Sequence, residues 1–105
     1  MINLTPHAIT VRLPDGSDRT FPPSGQLARV ATVEVSGEAL DGMPTVYRRM
    51  AKAEGLLPEG TPCLVSALVL SACPGREGMF APDSGPTAIR DDKGYVVAVT
   101  RLVRA

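Results

Sequence analysis

Two arginines occupy positions where the surrounding pattern is aliphatic. In residues 27–35, Leu27, Arg29, Ala31, Val33 and Val35 fall on one side of a period-two alternation. In residues 94–103, Tyr95, Val97, Val99, Arg101 and Val103 do the same. A guanidinium buried among aliphatic side chains costs several kcal/mol unless a counter-charge meets it. Three arrangements satisfy that demand: an internal carboxylate such as Glu34, Asp83 or Asp91, a strand end from which the side chain snorkels to water, or an anionic ligand. Arg76 follows a helix stop and Arg90 precedes a turn, so either can join an anion site or stand solvated. Ser66 reads as a helix N-cap, and the amides behind it favour negative charge. Arg29, Ser66, Arg76, Arg90 and Arg101, with His7, form the candidate set for a phosphate-bearing small molecule.

Other chemistry finds little support. The single histidine and two cysteines ten residues apart lack metal-site spacing, so no metal or cofactor is expected. A Ser-His-Asp hydrolase would need His7 as its base, yet no nucleophile motif accompanies it. Ser24 and Ser84 sit in ordinary turn contexts, and His7 reads better as a turn or edge residue with local hydrogen bonds than as a base. Neither GxGxxG nor GxxxxGK occurs.

The elements that would hold these residues are organised around residues 61–76. From Cys63 to Cys73 there is no charge, and Pro62 and Pro74 close the run. It is too apolar for water and too short for a bilayer, which needs about 20 residues. It reads as a buried strand at residues 63–65, Ser66 as cap, a helix over residues 67–73, and a stop at Pro74 and Gly75; one long strand is the alternative. Before it, residues 8–13 alternate as a half-buried strand. Leu13, Pro14, Asp15, Gly16 and Ser17 make a turn into a return strand at residues 19–21. Residues 27–35 form the clearest strand. Residues 44–57 fit helical spacing better than alternation. After Arg76, short strands are expected at residues 79–81, 87–90 and 94–103, the last two joined as a hairpin through Asp91, Asp92, Lys93 and Gly94. Because both faces of residues 94–103 are apolar, that strand is expected to be central and covered on both sides.

The 105 residues suit one domain, here 1–105, and ten Gly with ten Pro favour turns and short elements. The expected fold class is α+β: a small β-rich domain, mostly antiparallel, with one short central helix after a buried strand. Eleven basic residues balance eleven acidic ones, against the positive excess of a nucleic-acid binder. Nine of the basic residues are Arg, which suits bidentate contact with phosphate as well as GC-rich coding. The cysteines are expected as buried thiols, and no secretory or membrane segment is read, which places the chain in the cytoplasm.

Several phrases carry a resemblance: Asn3, Leu4, Thr5, Pro6 and His7 at the start; Pro23, Ser24 and Gly25 ahead of Ala28, Arg29 and Val30; residues 55–58 ahead of residues 65–69; and residues 82–86 and 90–94. Over most of its length the chain resembles small, largely uncharacterised phage and prophage proteins opening with the same asparagine-leucine-threonine-proline-histidine phrase. That implies a viral setting, in the cytoplasm of an infected or lysogenic bacterial host. In similar proteins the segment matching residues 44–57 is strand-like, which puts strand and helix on equal terms there. The setting and the arginines together suggest an oligomeric, non-enzymatic protein. Its expected role is to sequester an anionic nucleotide, such as an antiviral signalling molecule, as an anti-defence device. The alternatives are a structural or host-factor-binding protein without a small ligand, and a hydrolase acting on such a nucleotide through His7 or Asp83.

Overall fold

The computed structural model describes residues 1–105. The elements are β1 (Ile2–Asn3), β2 (Ile9–Arg12), β3 (Asp18–Phe21), β4 (Arg29–Ser36), β5 (Val46–Glu54), β6 (Cys63–Leu64), α1 (Ala67–Ser71), β7 (Met79–Pro82), β8 (Ile89–Arg90), β9 (Val96–Ala98) and β10 (Leu102–Arg104). The fold is β-rich and mostly antiparallel, with one short helix. Three two-stranded hairpins, β2–β3, β4–β5 and β8–β9, surround a mixed four-stranded sheet of order β1-β6-β7-β10.

The uncharged run supplies the middle of that sheet. β6 pairs in parallel with both β1 and β7, and β10 closes the far edge antiparallel to β7. Joining β6 to β7 in parallel requires a crossover, and α1 provides it. The Ser66 hydroxyl accepts the Val69 amide at 3.3 Å, as an N-cap does, and the helix ends at Ala72, short of the expected Cys73. Alternation along residues 63–65 divides the core into two layers. Cys63 and Val65 pack with Leu4, Val69, Leu70, Met79 and Ala81 on the helix side, while Leu64 packs with Ile9, Val11 and Val99 beneath the β2–β3 hairpin. Cys63 is buried and Cys73 half-buried, both as free thiols.

Gly78 is fixed by close approach. Its φ is 80°, and a Cβ there would lie 2.7 Å from the Gly60 carbonyl carbon. The Gly78 carbonyl in turn accepts the Cys63 amide at 2.9 Å, so the close approach sits where β7 joins the ladder.

Within residues 44–57 the chain is strand over Val46–Glu54 and nowhere helix. β5 runs antiparallel to β4, with a bulge between Val30 and Thr32 where Ala51 and Lys52 oppose Ala31 alone. The hairpin turns at Asp41 and Gly42, both at positive φ, with Leu40 and Met43 exchanging backbone hydrogen bonds across the tip. Only its base is packed: Val30 touches the helix-side core, and the strands beyond it are exposed on both faces. Because the hairpin stands off as an arm, the radius of gyration is 16.7 Å, against about 13 Å for a compact chain of this length.

The single covered strand expected over residues 94–103 is overturned. The chain pairs first with β8 as β9, bridges from Val99 to Val11, then leaves the ladder at Thr100 and Arg101 and re-enters the central sheet as its edge, β10. Nor is the segment covered on both sides: Ala98 and Val99 are buried and Leu102 half-buried, while Tyr95, Val96, Val97 and Val103 are exposed, and the two halves belong to different sheets.

Candidate functional site

The arginine premise resolves differently at each position. Arg101 lies in the break between β9 and β10 and is clasped from within: its Nε donates to Asp83 Oδ2 at 2.6 Å, and the Asp83 amide donates to the Arg101 carbonyl at 3.2 Å. The guanidinium side is open, at 64% side-chain exposure, and the carboxylate side is covered, at 18%. The Arg101 hydrogen bond, helped by the Gly85 amide, holds the Asp83 carboxyl below its ordinary range. Arg101 is thus in neither an apolar face nor a cavity. Arg29 does share its side of β4 with Ala31, Val33 and Val35, but no second layer covers that side, so the burial argument lapses. Arg29 stands exposed opposite Glu54, lining a cleft of about 340 Å³ at the base of the arm.

The other expected positions are equally scattered. Arg90 donates to the carbonyls of Gly94 at 2.8 Å and Ser84 at 2.9 Å, stapling the β8–β9 turn to the preceding loop. The Ser66 hydroxyl is engaged as the helix cap. The His7 imidazole is exposed, while its backbone carbonyl accepts from Asn3 at 2.8 Å and from Thr5 at 3.0 Å. The structure does not bring the six residues together; only Arg29 and Arg76 line cavities, and not the same one.

Arg76 is the position around which open, polar space collects. The turn after α1, through Pro74 and Gly75, carries it between two clefts. One, of about 350 Å³, is lined by Lys52, Ala53, Leu56, Glu59, Cys73 and Arg76 among others. The second, of about 430 Å³, adds Glu77, Phe80 and Arg104 on the far side of the turn. Both fall within the size of small-molecule sites, roughly 300–1,000 Å³. Arg76 Nη2 donates to the Leu57 carbonyl at 2.7 Å, which fixes the side chain, while its remaining donors make no hydrogen bond within the chain. Arg104 lies over the Phe80 ring at 5.0 Å, and neither Lys52, Arg76 nor Arg104 forms an ion pair. The same clefts hold Glu59 and Glu77, and Glu59 accepts the Glu77 amide at 3.5 Å. Burial pushes the nearby Cys63 thiol up, with Arg76 partly opposing it, so this cysteine is a core residue rather than a nucleophile.

Sequence reasoning missed Lys52 and Arg104. Lys52 enters through the β5 bulge and Arg104 through an edge strand, and neither interrupts an aliphatic face. No set of three or more His, Cys, Asp and Glu side chains is grouped to hold a metal ion, and no helix is long and apolar enough to cross a membrane. Compared with family models, curated proteins and solved structures, the chain matches none.

Proposed function

We propose that this chain is a phage-encoded, non-enzymatic binding protein that sequesters a phosphate-bearing nucleotide in its host's cytoplasm, with Arg76 as the anchor. The observation that carries this reading is a guanidinium fixed by one backbone contact, free of any carboxylate partner, and shared by two clefts that also present Lys52 and Arg104. Unpaired guanidinium and ammonium groups suit phosphate oxygens. Glu59 and Glu77 suit the hydroxyl and amino donors of a ribose and base. The phage setting and the antiviral signalling role rest on the sequence resemblance.

Calorimetry with cyclic nucleotides and ADP-ribose-type nucleotides tests the proposal. One of these is expected to bind, with affinity falling about tenfold or more in Arg76→Ala, in line with the loss of one charge-assisted contact. Absence of heat with every nucleotide, from protein that is folded, overturns it. Denaturing the complex and analysing the released nucleotide separates sequestration from hydrolysis: intact ligand supports the first, altered ligand the second. A second reading, a structural or partner-binding component without a small ligand, is favoured by the bare apolar arm.

A further inference from the structure

The β4–β5 arm is incomplete as it stands. A lone two-stranded hairpin is at best marginal in water, and stability takes a third strand or a packed face. Beyond Val30 this arm has neither. Its two faces differ. One is mixed: Thr32, Ser36 and the Glu34–Arg48 ion pair, at 2.9 Å, with Val46 and Met50. The other carries Ala31, Val33, Val35, Tyr47 and Ala51, with Arg49 its only charge beyond the base. Tyr47 is 64% exposed and Val33 52%.

The area points to what covers this face. The chain exposes 7284 Å², whereas a folded monomer of 11.0 kDa exposes about 5,600 Å². The excess of about 1,700 Å² is twice what one partner contributes to a standard stable interface, about 800 Å². The face is also chemically self-complementary. Closed dimers are isologous, so residue i meets j while j meets i. Tyr47 and Arg49 are two apart on one strand and share a face. Around a two-fold axis each guanidinium can lie over the opposite ring, and the valines between them close a dry centre. The opposite face, where Val46 and Met50 flank a charge pair already satisfied within the arm, offers no such match.

We propose that the arm is a dimerisation element, in which the Val33, Val35 and Tyr47 face is covered by the same face of a second copy of this chain. The contact is independent of the Arg76 clefts, so nucleotide binding can fail without affecting it.

Sedimentation or light scattering of the full chain tests the proposal. The expected mass is twice that of the chain at tens of micromolar. Val35→Asp with Tyr47→Asp is expected to give a monomer, with the far-ultraviolet spectrum of the body retained, because neither side chain reaches the core. Thr32→Asp, on the opposite face, is expected to leave the dimer intact. Should the double variant not fold, Tyr47→Asp alone is expected to weaken the dimer about tenfold or more in sedimentation, where Thr32→Asp does not. A monomeric parent chain overturns the proposal. So does a dimer that tolerates both aspartates, which would put the contact on a strand edge or elsewhere.

Discussion

Asn3 is the residue whose removal the fold is least able to absorb. It is 1% exposed, yet all four of its amide valences are used. Its Nδ2 donates to the carbonyls of His7 and Phe21 at 2.8 and 3.0 Å, and its Oδ1 accepts the Thr5 amide and hydroxyl at 3.0 and 2.7 Å. Its own carbonyl accepts the Ser24 hydroxyl at 2.7 Å. The opening phrase is therefore a buried polar hub that ties β1 to β3 and to the turn at Ser24. Asn3→Ala leaves several of these groups without partners and is expected to cost about 2–4 kcal/mol in urea denaturation. Nothing in the sequence named this role, although an asparagine between Ile2 and Leu4 in an apolar segment was the available signal. The Asp83–Arg101 pair was within reach, since Asp83 stood among three candidate carboxylates; the fold selects it by folding the loop after β7 back on the β9–β10 break. Asp83 carries a depressed pKa when folded, so the unfolded chain binds the proton more readily. Its contribution is full at neutral pH and fades as the medium is acidified below about pH 4. Acid titration of stability is expected to be shallower in Asp83→Asn than in the parent, over that window alone.

Among the elements, the hydrophobic run from Cys63 was legible because its signals agree: absence of charge, flanking prolines, a serine placed to cap and a glycine placed to stop. The β2–β3 and β8–β9 hairpins were legible from turn chemistry. Residues 44–57 were not, for a physical reason. Alternation is imposed by burial of one face, and β5 beyond its base is exposed on both, so Arg48, Arg49 and Met50 follow no period. The β9–β10 break escaped notice because the apolar pattern of residues 94–103 marks neither the partner strand nor actual burial: Tyr95, Val97 and Val103 are exposed. At the junction of β6 and β7, Gly78→Ala meets both a positive φ and the Gly60 backbone, whereas Gly25→Ala, at φ 89°, meets open space. The first is expected to lose about 1–3 kcal/mol of unfolding free energy and the second clearly less, with the difference isolating the collision.

Taken whole, the molecule is a small two-layer body with a long lever, spanning 56 Å on its longest axis. Protection against hydrogen exchange is expected to follow that division. The amides of Leu4, Cys63 and Val65, bonded to Leu64, Gly78 and Phe80 across the central sheet, should exchange most slowly. Amides of the outer arm should exchange fast in dilute solution and slow as concentration rises. The body also imposes an order of assembly. Each hairpin pairs neighbours in the chain and can close within microseconds. The central sheet cannot: β1 must wait for β6, some sixty residues downstream, and β7 for β10 near the end. On the ribosome, then, the aliphatic segment from Cys63 emerges before β7, which flanks it, and well before β10, which closes the edge of the sheet. For that interval unpaired edges and apolar side chains stand open to water, the condition that favours aggregation.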